Sequence, residues 1–384
     1  MARALYIHWP FCIAKCPYCD FNSHVRKTAD IAQWKAALVA DMQHEHDETQ
    51  SQEPLASIFF GGGTPSLMPP TLVAALLEKV ERLWGFDPTI EITLEANPSS
   101  VEAGNFAELA AAGINRVSLG VQSLSDEVLR FLGRLHGVDE ALKAVTVAQR
   151  HFARVSIDLI YARPDQTEAD WQVELGEALA LGTDHMSLYQ LTIEPATRFA
   201  TDVRRGVFEP LGDDYAADLF ALTREMTEAA GLPAYEVSNH ARPGQESRHN
   251  LTYWRYQDYV GIGPGAHGRR CGIATIRHRK PENYLSAVAT QGHGIAEARP
   301  LAHGEQASEA LLMGLRLAEG VDLAALARRF DAAPAALVDE AKLALYRDLG
   351  LVWMEQERIG VTPQGMPLLD ALLGEVVCTD LVTS

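Results

Sequence analysis

The sequence predicts an α/β chain: a partial (β/α)6 barrel over residues 1–240, a connecting segment over 241–304, and a helical, winged-helix-like domain over 305–384. Two observations lead there. In the first half, short β-branched or apolar runs at 5–8, 57–60, 90–95, 116–120, 155–160 and 186–191 alternate with amphipathic stretches at 31–42, 71–83, 101–112, 138–151 and 169–181. Strand and helix alternating in this way make parallel βαβ units, and six of them suit a barrel or partial barrel. After residue 195 the alternation fades, and the C-terminal part ends in helices followed by a small hairpin.

Each predicted strand ends in residues that a packed core does not ask for. These ends are His8-Trp9-Pro10, Gly61-Gly62-Gly63-Thr64-Pro65, Glu95-Ala96-Asn97-Pro98 and Gly120-Val121-Gln122-Ser123, then 190–195, with Asp158 inside the fifth run. Carboxylates, amides and glycines gathered at strand C-terminal ends point to one shared site on the loops above the strands. Residues 198–240 read as mostly helical, 241–268 as a loop rich in Gly, His and aromatics, and 290–304 as a linker. In the last domain, 351–353 and 358–361 form the hairpin, and a final helix follows Thr362-Pro363-Gln364-Gly365.

Composition narrows the function classes. The net charge of −18, from 33 basic and 51 acidic residues, argues against nucleic acid as a partner, because little phosphate could be neutralised. The densest basic group, Arg269, Arg270, Arg277, Arg279 and Lys280, reads equally as a solvated face or an anion site. No apolar run is long enough to span a membrane, and the N-terminus lacks the pattern of a signal peptide, so a cytoplasmic location is expected. Five cysteines, an odd number, fit metal binding better than a disulfide framework. Cys271 and Cys378 are isolated and read as small core or surface residues.

The other three, Cys12, Cys16 and Cys19, fall directly after the first strand. Thiolates at this spacing can converge on one metal centre. A structural zinc site asks for four closed ligands, usually two CxxC pairs. No second pair exists here, although His8 or His24 could complete a three-cysteine site. A 4Fe–4S cube held by three thiolates leaves one iron without a protein ligand.

This segment resembles the radical SAM superfamily, whose members carry CxxxCxxC with an aromatic before the last cysteine, here Tyr18. The resemblance implies a TIM-like radical SAM barrel and a 4Fe–4S cluster on Cys12, Cys16 and Cys19. It also implies S-adenosylmethionine (SAM) at the open iron, cleaved in the superfamily to a 5′-deoxyadenosyl radical. Gly62, Gly63 and Thr64 match the stretch that contacts the methionine part of SAM, with N–H groups expected to face its carboxylate or amine. Tyr6, Glu95, Gln122, Arg134 and Asp158 fall where further SAM contacts lie in the coproporphyrinogen-dehydrogenase branch.

Within that branch the chain resembles the HemW-type haem chaperones more than the oxygen-independent coproporphyrinogen III dehydrogenases. Phe21 stands where the dehydrogenases have a further cysteine, and the chain starts at strand one, without their N-terminal extension. His249-Asn250-Leu251-Thr252-Tyr253-Trp254 matches the HNxxYW motif of the haem-binding branch. The resemblance implies haem as a third cofactor, with His249 as iron ligand and Tyr253 and Trp254 as flat surfaces for the porphyrin. It implies haem-accepting proteins as partners, respiratory enzymes among them, reached by peripheral membrane contact. Radical oxidative decarboxylation of coproporphyrinogen III is the alternative, and a radical SAM RNA-modifying enzyme would need basic surface that the composition does not offer. Gly261-x-Gly263-x-Gly265, interrupted by Pro264, lacks the strand–helix context of a dinucleotide loop. His267 and His278 are weaker alternatives to His249 as iron ligand and read rather as structural.

Overall fold

The computed structural model describes residues 3–26, 28–49 and 53–378. The six predicted strands all form: β1 (Ala4–Trp9), β2 (Leu55–Gly62), β3 (Phe86–Ala96), β4 (Arg116–Gln122), β5 (Arg154–Tyr161) and β6 (His185–Gln190). Each pairs in parallel with the next. Side chains alternate between the two faces of each strand; Leu5, Ile7, Ile58, Leu94, Val117 and Ile157 are buried on one face, while the alternate positions hold buried polar residues such as Ser57, Thr93, Arg116, Ser118, Ser156 and Ser187. The crossover helices include α1 (Ile31–Thr49), α2 (Pro70–Trp84), α3 (Val138–His151) and α4 (Glu168–Ala180). The helix expected over 101–112 is instead two short pieces, Ser100–Ala103 and Phe106–Ala111. Gly104 and Asn105, both poor helix formers, occupy the break.

The sheet continues beyond the predicted barrel. β7 (Asn239–Ala241) pairs antiparallel to β6. β8 (Tyr259–Ile262) joins the free edge of β1 in parallel, followed by antiparallel β9 (His267–Arg270), β10 (Ile273–Arg277) and β11 (Ile295–Pro300). The order is therefore β11-β10-β9-β8-β1-β2-β3-β4-β5-β6-β7, an open eleven-stranded sheet. The loop expected over 241–268 holds β8, part of β9 and the helix α5 (Arg248–Trp254), and the expected linker holds β11.

Of the basic residues of this region, Arg279 and Lys280 are exposed, whereas Arg269, Arg270 and Arg277 are buried against partners within the chain. Arg277 is 0% exposed and faces Asp41 at 3.3 Å and Glu45 at 2.5 Å, both on α1. Arg270 also reaches Glu45, at 2.5 Å. Tyr284, on α6 (Pro281–Gln291), donates to Asp41 at 2.9 Å. Arg269 lies 3.4 Å above the Tyr256 ring. Buried ion pairs with satisfied hydrogen bonds thus fasten the added strands to α1.

A second core, containing Leu311, Phe330, Ile359 and Leu372, supports the C-terminal domain. Strands Val321–Asp322, Arg358–Val361 and Val352–Glu355 make its small sheet, in that order, and helix Leu369–Val376 follows. The predicted hairpin and final helix are both present. Arg255 forks onto Glu319 with two bonds of 2.9 Å, joining this domain to α5.

Candidate cofactor site

The parallel strands bring their C-terminal ends to one cavity of about 520 Å³. Cys12, Cys16 and Cys19 line it, and so do Tyr18, Gly62, Gly63, Thr64, Glu95, Gln122, Arg134 and Asp158, eleven of the residues expected from sequence. All three cysteines are half-buried free thiols. Each has a polar neighbour at its sulfur. Thr64 Oγ1 donates to Cys12 Sγ at 3.5 Å and Arg134 Nη1 to Cys16 Sγ at 3.5 Å, while Ser23 Oγ lies 4.0 Å from Cys19 Sγ. Burial pushes the Cys12 and Cys19 thiols up. A bound metal would oppose that by taking the thiolate form.

The glycine turn is built differently from the expectation. The Gly62 N–H donates to Glu95 Oε2 at 3.2 Å, the Gly63 N–H to the Trp9 carbonyl at 2.7 Å and the Thr64 N–H to the Phe11 carbonyl at 2.8 Å. These donors hold the turn against β1, the cysteine loop and Glu95. Main-chain contacts from them to a ligand must therefore come from carbonyl oxygens, which suit an ammonium rather than a carboxylate. Gly62 has φ +110°, and a side chain there would meet the His8 ring at 2.5 Å. Glycine is required on both counts.

Two acids form the floor. Asp158, on β5, accepts from Ser118 Oγ at 3.0 Å. Burial, and then the nearby Asp158, push the Glu95 carboxyl up to about 8. Burial also raises Asp158. Arg134 lines the same cavity, donating to Asn97 Oδ1 at 2.5 Å and to the Gly120 carbonyl at 2.9 Å. Its Nε is buried without a partner among the described residues. Asn97, expected at this strand end but without an assigned contact, also donates through Nδ2 to Thr64 Oγ1 at 3.3 Å and so links the arginine to the threonine beside Cys12. Its signal was its place two residues after Glu95 at the end of β3.

The remaining expected residues lie elsewhere. Tyr6 and Tyr253 line a second cavity. His249 is 1% exposed beneath it, with Nδ1 3.0 Å from Ser57 Oγ and Nε2 2.7 Å from the Tyr253 hydroxyl. Its ring stacks on Phe59 with centroids 5.0 Å apart. Trp254 turns the other way, under Arg316 of the C-terminal domain. The structure therefore divides the motif: one residue at a cavity, one buried as its support, one at the domain boundary.

Residues 6–175 match the family model "Radical SAM superfamily", and 301–368 match "HemN C-terminal domain". The chain is 39% identical to the Heme chaperone HemW of Escherichia coli over 323 residues, 82% of this chain and 83% of that one. It is 31% identical to the Heme chaperone HemW of Bacillus subtilis, covering 97% of this chain and 100% of that one. The chain belongs to the radical SAM superfamily, in its HemW family. A further relative, radical S-adenosyl methionine domain-containing protein 1, mitochondrial, of Bos taurus, is 40% identical over 83% of this chain and 74% of its own. The structure of E. coli coproporphyrinogen III oxidase (HemN) aligns over 97% of this chain and 89% of that one, with a TM-score of 0.82 at 22% identity, which establishes the shared fold.

For a radical SAM protein the donor set fits a cube better than a single ion. Among the described residues no three His, Cys, Asp or Glu side chains gather around one point to hold a metal ion. A 4Fe–4S cube asks something else, each thiolate holding its own iron. His8, one of two histidines that could have closed a zinc site, has its nitrogens engaged by the Tyr6 hydroxyl and the Asn22 carbonyl, both at 2.9 Å.

Proposed function

We propose that this protein binds haem and delivers it to acceptor proteins, and that it carries a 4Fe–4S cluster on Cys12, Cys16 and Cys19 with SAM at the open iron. The observation that carries the haem reading is the likeness to the HemW relatives, 39% and 31% identical over most of the chain and both named heme chaperones. The cluster reading is supported by three thiols on the wall of one cavity, two of them accepting from Thr64 and Arg134.

When bound, the cluster and SAM together would supply one-electron chemistry. The chain's own residues do the positioning. Glu95 and Asp158 give the cavity floor two carboxyls whose raised pKa values relax when a cationic group arrives, which favours a sulfonium and ammonium ligand such as SAM. Gln122, at φ +70°, and Arg134 close one side of the cavity. Tyr18 packs against Phe199, with centroids 6.3 Å apart, and so braces the cysteine loop.

For the haem part, Tyr253 presents a ring to the second cavity and His249 fixes that ring through its hydroxyl. Acceptors are haem proteins, including membrane-bound respiratory enzymes approached peripherally from the cytoplasm. Among the described residues no helix is long and apolar enough to cross a membrane. The test uses apomyoglobin as a probe acceptor. Protein reconstituted anaerobically and loaded with haem should transfer it faster than haem is released into buffer. Transfer no faster than spontaneous release would count against a carrier.

A further inference from the structure

The glycine-rich segment 261–268, which is no nucleotide loop, closes one side of the second cavity. A side chain at Gly263, φ +91°, would meet the His8 carbonyl oxygen at 2.3 Å, and one at Gly265, φ +77°, the Asn22 side chain at 2.5 Å. The turn is thus pressed onto β1 and the end of the cysteine loop. Asn22 Nδ2 fastens it by donating to the Pro264 carbonyl at 2.8 Å and the Arg279 carbonyl at 2.9 Å. The result is a chamber of about 390 Å³ bounded by Tyr6, Tyr253, Tyr259, His8, His267 and Arg279. It meets the first cavity at Phe21, Gly62 and Glu95, which line both.

Three tyrosine rings give the chamber flat, polarisable walls, suited to a planar ligand. Tyr253 and Tyr259 meet edge to face at 4.5 Å, so the wall is rigid. The polar groups differ in availability. His8 is engaged at both nitrogens, and so is His249 below. His267 is exposed at the cavity and its side chain has no hydrogen-bond partner among the described residues. Arg279 is exposed beside it, and its guanidinium has no ion-pair partner among the described residues. A guanidinium without a partner is a ready site for a carboxylate.

We propose that the second cavity holds one edge of the haem, with His267 as iron ligand and Arg279 as partner of a propionate carboxylate; this rests on the haem-carrier reading above. At about 390 Å³ the chamber is near the small end of ligand pockets, which suits an edge and leaves the rest of the macrocycle reachable by an acceptor. Phe21, 59% exposed where the two cavities meet, offers the uncovered face an apolar neighbour. In this arrangement His249 is a positioning residue for Tyr253.

The test is a haemin titration of the full-length protein, read by Soret absorption and electron paramagnetic resonance, with His267→Ala and Arg279→Gln alongside. The wild type should show a histidine-ligated signature. His267→Ala should lose that signature, bind at least tenfold more weakly, keep its melting temperature, and regain the signature when free imidazole is added. Arg279→Gln should weaken binding about tenfold while leaving the ligation signature intact. If the wild type binds haem and His267→Ala keeps both signature and affinity, the site is elsewhere and the carrier reading survives. If the wild type binds no haem, both fall.

Discussion

Replacing His249 by Ala separates a ligand from a support. In the structure its imidazole engages the Ser57 and Tyr253 hydroxyls and stacks on Phe59, all with the ring 1% exposed. Removing it leaves two hydroxyls without that partner, at about 1–3 kcal/mol each when buried. It also removes a stacked ring, worth about 0.5–1.5 kcal/mol. Water entering the vacated space satisfies part of this, so a net loss of about 3–4 kcal/mol is expected. For a chain of this size that lowers the melting temperature by roughly 4–5 °C. Haem affinity should fall with it, because Tyr253 loses its anchor. His249→Gln, able to keep one of the two hydroxyl contacts, should recover stability and affinity together. Thermal melts and haemin titrations on the same three proteins make the check. A His249→Ala protein with wild-type melting and no haem signature would refute this reasoning and make His249 the ligand.

Three other outcomes follow from the geometry. Cys12→Ala, Cys16→Ala and Cys19→Ala should each abolish iron and sulfide incorporation on anaerobic reconstitution, whereas Cys271→Ala and Cys378→Ala, exposed and distant in sequence, should leave both unchanged. Because Glu95 titrates near 8 when folded and near 4.5 when unfolded, the folded chain keeps a proton that the unfolded chain gives up across that window. Stability should therefore fall as pH rises from 4.5 to 8. The contribution is about 2–3 kcal/mol after allowing for solvent in the cavity. Unfolding midpoints of Glu95→Gln across the same range should lack this component, and parallel profiles would remove it from the account. Arg277→Met leaves Asp41 and Glu45 without their shared cation, and should cost about 3–5 kcal/mol. Hydrogen exchange should then accelerate first in β9–β11, and Asp41→Asn in the same chain should restore part of the loss.

The barrel was readable because β-branched and apolar runs alternate regularly with helical stretches along the chain. β8–β11 escaped because they are short and their burial is not apolar. His267-Gly268-Arg269-Arg270 reads as a solvated turn until Glu45 and the Tyr256 ring are seen to receive the two arginines. Pairing across more than 200 residues leaves no mark in local periodicity. Cys12, Cys16 and Cys19 were legible as a group because their spacing is local, and Glu95, Gln122 and Asp158 as cavity residues because they lie toward strand ends. The contacts of His249 include Ser57, 192 residues away, which local sequence does not reveal. The turn at 62–64 was placed correctly and its donors misjudged, since strand pairing decides where an N–H points.

The most direct measurement is made on one anaerobically reconstituted sample, titrated with haemin and then offered coproporphyrinogen III with SAM and a reductant. Close to one haem should be retained per chain, with no protoporphyrinogen IX formed. Efficient formation of protoporphyrinogen IX, with haem bound only weakly, would contradict this and place the chain among the decarboxylating enzymes.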